Sequence, residues 1–186
     1  MNPLPVAQWD NRLQNVIDDM GGSPLNIHAL MANHPPLLSA WWDLRMYLVN
    51  GGDLGQRHCE LAILRIAVHL KNWYEWGSHV VRGLDSGLSP DEIDRVVSNT
   101  GNWSEADAAL LAAVDEIVSD NRLSEASLER LAPHFTDRQV MDLMHLHGMY
   151  RTIACLIETW GLELDAAVVE QLPDKVSEAT FHRNVT

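Results

Sequence analysis

Leu54-Gly55-Gln56-Arg57-His58-Cys59-Glu60-Leu61-Ala62-Ile63-Leu64-Arg65-Ile66-Ala67-Val68-His69-Leu70-Lys71 is the stretch that decides the fold. Its apolar residues Leu61, Ile63, Leu64, Ile66, Ala67, Val68 and Leu70 fall on most sides of a helix rather than along one stripe. A helix patterned this way is surrounded by other elements, so the spacing predicts a helix in the middle of the core. One carboxylate, Glu60, sits near its start. Such a group either faces solvent, pairs with Arg57 one turn earlier, or points into a cavity.

Working outward, the neighbouring segments also carry helical punctuation, and no strand-like alternation of useful length occurs. Upstream, Val6, Trp9, Leu13, Val16, Ile17 and Met20 predict one helix closed by Gly21-Gly22. Ser23-Pro24 reads as an N-cap and first helical proline, opening a short helix towards Asn33. Pro35-Pro36 breaks it, and Leu37 to Asn50 resumes with Trp41, Trp42 and Tyr47. Downstream, Trp73 to Ser86 forms a helix closed by Gly87. Ser89-Pro90-Asp91-Glu92 is a capping box, and Ser104 to Asp107 resembles a second. Ser124 caps a short helix and Thr136 the last long one, Asp137 to Trp160, with Gly161 as its stop. From Leu162 the pattern weakens, and Pro173 with the polar end, Phe181 to Thr186, reads as a draped or disordered tail. The expectation is an all-α, single-domain bundle of about seven or eight helices. Residues 1–25 would be an N-terminal helix or extension, 26–165 the helical domain and 166–186 the tail.

The chain has 186 residues and a formal net charge of −13. Nucleic-acid binding rests on Lys and Arg neutralising phosphates, so this balance argues against it, and against anionic membrane surfaces. No stretch approaches the length of a membrane span, and Met1-Asn2-Pro3-Leu4-Pro5 has no basic region followed by an apolar run. A cytoplasmic protein with no membrane partner is expected. Cys59 and Cys155 lie far apart in apolar helical patterns; they form neither a disulfide framework nor a CxxC motif and read as small core residues.

Glu75 and His79 stand four apart on a predicted helix, where side chains share a face and can touch. A carboxylate beside an imidazole raises its pKa and fixes its orientation, which is how a general acid/base is commonly assembled; an exposed helical pair would have the same spacing. Trp73, Tyr74 and Trp76 surround Glu75, and an aromatic ring beside it would suit a flat substrate. Arg65 would either bind a substrate carboxylate or pair with an acid on a neighbouring helix. Tyr150 shares a face with His147. His145 and His147 are two apart, pointing to nearly opposite sides of a helix, so no metal site is expected there.

These pieces in order, Arg57-x-x-Glu60-Leu61-x-Ile63-Leu64-Arg65, then Tyr74-Glu75-Trp76-x-x-His79, then Gly87-Leu88-Ser89, resemble the core of the carboxymuconolactone decarboxylase / AhpD-like family. The resemblance extends through Asn33-His34-Pro35 and Gly148-Met149-Tyr150, from about Asn26 to Asp165. It implies an AhpD-like multi-helix bundle that assembles as a dimer, trimer or hexamer, with the tail after Leu162 lying on a neighbouring subunit. AhpD-type relatives carry E-x11-C-x2-C-x3-H. The glutamate and histidine of that pattern fall here on Glu60 and His79, and the two cysteine positions on Asn72 and Glu75. Dithiol peroxidase chemistry needs a thiolate and a resolving thiol, and neither stands at those positions.

The resemblance therefore implies a cofactor-free lyase or proton-transfer enzyme of decarboxylase type, acting on a small, conjugated or lactone-forming organic acid. His79, Glu75 and Glu60 would be catalytic, with Glu75 holding the ring and Glu60 completing a proton path. Tyr150, Trp76, Tyr74, Arg65 and Asn72 would contact substrate. Two other readings stay open: an AhpD-like hydroperoxidase, disfavoured by the missing CxxC, and a non-catalytic helical oligomer that binds a ligand.

Overall fold

A computed structural model describes residues 1–98 and 100–185. Among them lie two 3-10 turns, Val6–Gln8 and Asn11–Leu13, and eleven α-helices without a strand. In order these are α1 (Gln14–Asp19), α2 (Asn26–Met31), α3 (Pro35–Val49), α4 (Gln56–Leu70), α5 (Trp73–Asp85) and α6 (Pro90–Ser98). Then come α7 (Glu105–Asp120), α8 (Glu125–Leu131), α9 (Asp137–Trp160), α10 (Ala166–Val169) and α11 (Glu178–Asn184).

Helix α4 is the hub, as its all-round apolar pattern predicts. It packs against α3, α5, α6, α7 and α9, and Leu61, Ile63, Leu64 and Ile66 are fully buried. Truncating any of them to alanine removes apolar contact and leaves a void, a loss of about 2–5 kcal/mol. Lys71 ends α4 in the left-handed conformation (φ 51°), and Asn72 at once caps α5, its Oδ1 accepting from the Glu75 N–H at 2.9 Å. This two-residue turn folds α5 back along α4, so residues roughly equidistant from it, such as Glu60 and Arg82, meet.

Helix starts follow the sequence signals where the cap is local. Ser89 and Glu92 exchange reciprocal bonds, Ser104 and Ser124 cap α7 and α8, and Thr136 with Gln139 forms a full capping box on α9. Three expectations are corrected. Residues 6–20 are two 3-10 turns and a short α1, not one helix: Asp10 caps a new turn with its own side chain and interrupts the run. Helix α2 starts at Asn26, where the Asp165 carboxylate, rather than Ser23, accepts the free N–H (2.9 Å). Pro35 and Pro36 open α3 instead of separating two helices, since the first turn needs no N–H donors.

Of the draped and disordered alternatives for the segment after Leu162, the structure has the draped one. Phe181 is buried, its ring stacked on Trp76 of the same chain (5.3 Å between centroids, 27°). Leu164 lies where a Cβ on Gly77 would stand, 2.6 Å from its Cδ2, so glycine at that point of α5 admits the segment. No helix is long and apolar enough to cross a membrane among the described residues.

Candidate active site

Glu60 is fully buried on the face of α4 turned to α5. Its expected alternative partner, Arg57, is engaged elsewhere, with Asp107 at 2.7 Å and with Glu92. Two groups one turn apart on α5 take up the Glu60 carboxylate instead. His79 Nδ1 lies 2.5 Å from Oε2, and Arg82 Nε donates to Oε1 at 2.8 Å. An ionised carboxylate only accepts hydrogen bonds, so the proton on this side of the imidazole sits on Nδ1. Arg82 is tied further by donating to the Val49 carbonyl at 2.8 Å.

The other ring nitrogen, Nε2, faces Glu75 Oε2 at 3.5 Å, longer than a hydrogen bond. The contacts run opposite to the roles that the resemblance implied: Glu60, on another helix, holds the ring, whereas Glu75 stands off from the nitrogen on the cavity side. Tyr150 on α9 lies edge-on to the imidazole, ring centroids 5.0 Å apart and planes at 83°. Its phenol has no hydrogen bond within the described residues.

Burial alone would push Glu60 towards the neutral acid, but His79 and Arg82 outweigh it and keep its pKa below the ordinary carboxylate value. Burial likewise disfavours a charged His79, yet Glu60 and then Glu75 reverse the balance and hold its pKa above the ordinary histidine value. The two carboxylates thus favour the protonated form of the ring, one holding it at Nδ1 and the other facing Nε2. Tyr150 is raised well above a normal phenol, by burial first and then by Glu75 and Glu60, so it enters the site as a neutral O–H donor.

All of these groups except Glu60, which stays behind His79, border one cavity of about 210 Å³ between α1, α2, α3, α5 and α9. Glu75, His79, Arg82, Tyr74 and Tyr150 line it, with Trp41, Leu25, Ile27, Met46 and Ile153 supplying apolar wall. Arg45, His28 and Ser78 line it too, and none was expected from sequence. Arg82 had a legible signal, three residues after His79 on one helix face; Arg45 and His28 had none, because α2 and α3 meet α5 only in three dimensions.

Three residues expected at the substrate stand elsewhere. Arg65 is on the far side of α4, where it donates to Asp115 at 2.6 Å and to the carbonyls of Val96 and Val97. An acid on a neighbouring helix has claimed it. Trp76 points to a second cavity of about 320 Å³ beside Lys175 and Phe181, because α5 turns that face to the C-terminal segment. Asn72 is fully buried as the α5 cap and donates to Glu158 at 2.9 Å, so its amide is already satisfied. Tyr74 does reach the first cavity with its ring, while its hydroxyl donates to Asp165 (2.6 Å) and accepts from the Ile27 N–H (3.2 Å).

Neither cysteine joins this group. Cys59 is buried, its thiol donates to the Leu48 carbonyl at 3.1 Å, and burial first and Glu60 second push its pKa up. Cys155 is exposed on α9. Among the described residues no cluster of three or more His, Cys, Asp or Glu side chains is disposed to hold a metal ion.

Residues 35–116 match the family model described as carboxymuconolactone decarboxylase family. Solved structures with the same fold include the debrominase Bmp8, a cysteine-to-alanine variant in complex with 2,3,4-tribromopyrrole. It is 15% identical with a TM-score of 0.75, over 91% of this chain and 94% of that one. An uncharacterised peroxidase-related protein with an alkylhydroperoxidase AhpD core, from Ralstonia eutropha, is 18% identical with a TM-score of 0.77, over 92% and 96%. A peroxidase-related protein from a Silicibacter species is 17% identical with a TM-score of 0.74, over 90% of each chain. At these identities the likeness speaks for the fold. A comparison with curated proteins gives no match.

Proposed function

The chain carries a carboxymuconolactone decarboxylase family segment at residues 35–116 in an AhpD-like all-helical fold, and from that premise we propose that it is a lyase or proton-transfer enzyme acting on a small organic acid. The observation that carries the reading is His79, buried between two carboxylates with one nitrogen tied to Glu60 and the other turned to Glu75 at the cavity.

In this reading a bound acid loses either CO2 or a proton next to a carbonyl. The electron pair of the broken C–C or C–H bond stays on the organic fragment as an enolate. His79 Nε2 then delivers its proton to carbon, and Glu75 restores that proton from solvent or, in the reverse sense, receives the one abstracted. Glu60 and Arg82 keep the ring oriented and do not exchange protons with substrate. The Tyr150 O–H donates to the enolate oxygen as charge develops there. A dithiol route finds no support, since Asn72 caps a helix and Glu75 lines the cavity where relatives of the other branch carry sulfur.

The test is exchange chemistry. Conjugated and lactone-forming carboxylic acids are incubated with the protein in D2O and followed by NMR for CO2 release or for deuterium entering a carbon-bound position. The expected result is turnover by the wild-type chain that falls about 10²–10⁴-fold in His79→Gln. Equal turnover in the two proteins overturns the assignment.

A further inference from the structure

Three partly buried arginines of α4 and α5 are ion-paired, whereas the one arginine that is buried among the described residues is not. Arg57 binds Asp107, Arg65 binds Asp115 and Arg82 binds Glu60. Arg45, on α3, is 8% exposed, and among the described residues it has no carboxylate within ion-pair distance. Its guanidinium lies over the Trp42 ring at 4.9 Å from the centroid, and Nη1 meets only the weakly accepting sulfur of Met46 at 3.2 Å. A guanidinium offers five N–H donors. The remainder have no protein acceptor, and the residue borders the cavity that holds His79. An enclosed cation in this state is costly unless something completes it.

We infer that Arg45 anchors the carboxylate of a small planar acid in this cavity, placing the body of that molecule against His79 and Tyr150. The inference rests on the cavity being the active site and names the class of molecule it takes. The role that sequence offered to Arg65 passes to Arg45, which has no acid within ion-pair distance among the described residues, although Glu60 and Asp19 act on it from further away.

Three further observations agree. Burial first, and the field of Arg82 on the same cavity after it, lower the pKa of Arg45 against the opposing fields of Tyr150, Glu60 and Asp19, so an anion beside Arg45 relieves it. His28 is 2% exposed with its pKa lowered to about 3, by burial first and then by Arg45. It is therefore neutral, adds no competing charge, and leaves Nδ1 without a partner. Size fits as well: an apolar cavity of about 150 Å³ holds benzene, and 210 Å³ here admits a ring with one carboxylate. Asp19 also lines the cavity and opposes an anion, but its Oδ2 is occupied by the Trp42 indole N–H at 2.7 Å.

The experiment uses benzoate as probe and benzamide as its uncharged counterpart, with binding to the full chain measured by calorimetry. Wild-type protein is expected to bind benzoate at least about tenfold more tightly than benzamide, a ratio that corresponds to one charge-assisted hydrogen-bonded contact. Arg45→Met is expected to abolish that preference, while Arg65→Met and His69→Gln, on the far side of α4, preserve it. Equal affinity for the two probes in the wild-type chain overturns the inference without recourse to any variant. A preference that survives in a folded Arg45→Met protein, judged by its near-UV circular dichroism, also overturns it. Phenyl phosphate binding more tightly than benzoate would overturn the carboxylate class in favour of phosphate esters. Because the benzoate-to-benzamide ratio is read without turnover, and the deuterium exchange without these probes, failure of the anchor and failure of the proton-transfer reading give different results.

Discussion

Helix α4 takes part in two clusters, each of one carboxylate, one histidine and one arginine. On one face Glu60 binds His79 and Arg82 at 2.5 and 2.8 Å; on the other Asp115 meets His69 and Arg65, both at 2.6 Å. By distance and composition they are near twins. They differ in enclosure: the Glu60 side chain is 0% exposed and that of Asp115 31%. Arg65 spends its other donors on the carbonyls of Val96 and Val97, which knits α4 to the last turn of α6. His79 keeps a nitrogen turned to a second carboxylate and to open space. The comparison teaches that a carboxylate–imidazole–guanidinium triad is chemistry only where a cavity adjoins it and water is kept from its charges. Elsewhere the same atoms are a strut.

The largest expected contrast is catalytic. In the deuterium-exchange assay His79→Gln should lose about 10²–10⁴-fold in kcat, whereas His69→Gln should keep the wild-type rate; comparable losses in both would erase the distinction between the clusters. Stability should separate them next. Glu60→Gln leaves Arg82 and a charged His79 without their carboxylate, at a cost of about 3–5 kcal/mol. Asp115→Asn, at a half-exposed site, should cost about 1 kcal/mol or less. Urea denaturation of the three proteins checks both.

Titration sharpens the same point. His79 has its folded pKa raised, so its stabilising contribution is whole below the unfolded value near 6.5 and is lost as pH rises through the folded value. Glu60 has its folded pKa lowered, so its contribution is present above the unfolded value near 4.5 and is lost as pH falls through the folded one. Wild-type stability should therefore decline on the alkaline side with a slope of at most about 1.4 kcal/mol per pH unit. His79→Gln should flatten that limb, as urea midpoints measured across pH would record. The smallest effect is expected from Tyr150→Phe, which removes one neutral hydrogen bond to the enolate and should lower kcat about fivefold with little change in urea midpoint.

The legibility of the sequence follows the range of the interactions. Helix α4 declared itself because its burial is written in its own residues, and Ser89, Ser104, Ser124 and Thr136 announced helix starts because their caps are local. The Glu75–His79 pair was visible from helical spacing, but the stronger Glu60–His79 bond joins two helices and no spacing rule reports it. Arg45 was invisible as a site residue: what distinguishes it is the lack of a partner, and partners are known only after folding. Arg65 looked as eligible until Asp115 occupied it. At the N-terminus helical spacing persisted across Asp10, and the local cap overrode it. The tail looked polar, yet Phe181 alone provides enough aromatic surface to fasten α11 to Trp76.

Tyr74 has a consequence for how the protein is made. Its phenol oxygen joins the backbone of Ile27 to the side chain of Asp165, which also caps α2, while its ring walls the cavity. A nascent chain emerging from the ribosome can form the α4–α5 hairpin early, with His79 already beside Glu60. It cannot finish the chamber until residue 165 has been synthesised and has travelled back to the first helices. The Glu60–His79 contact thus spans 19 residues of sequence, whereas the Tyr74–Asp165 contact at the cavity wall spans 91.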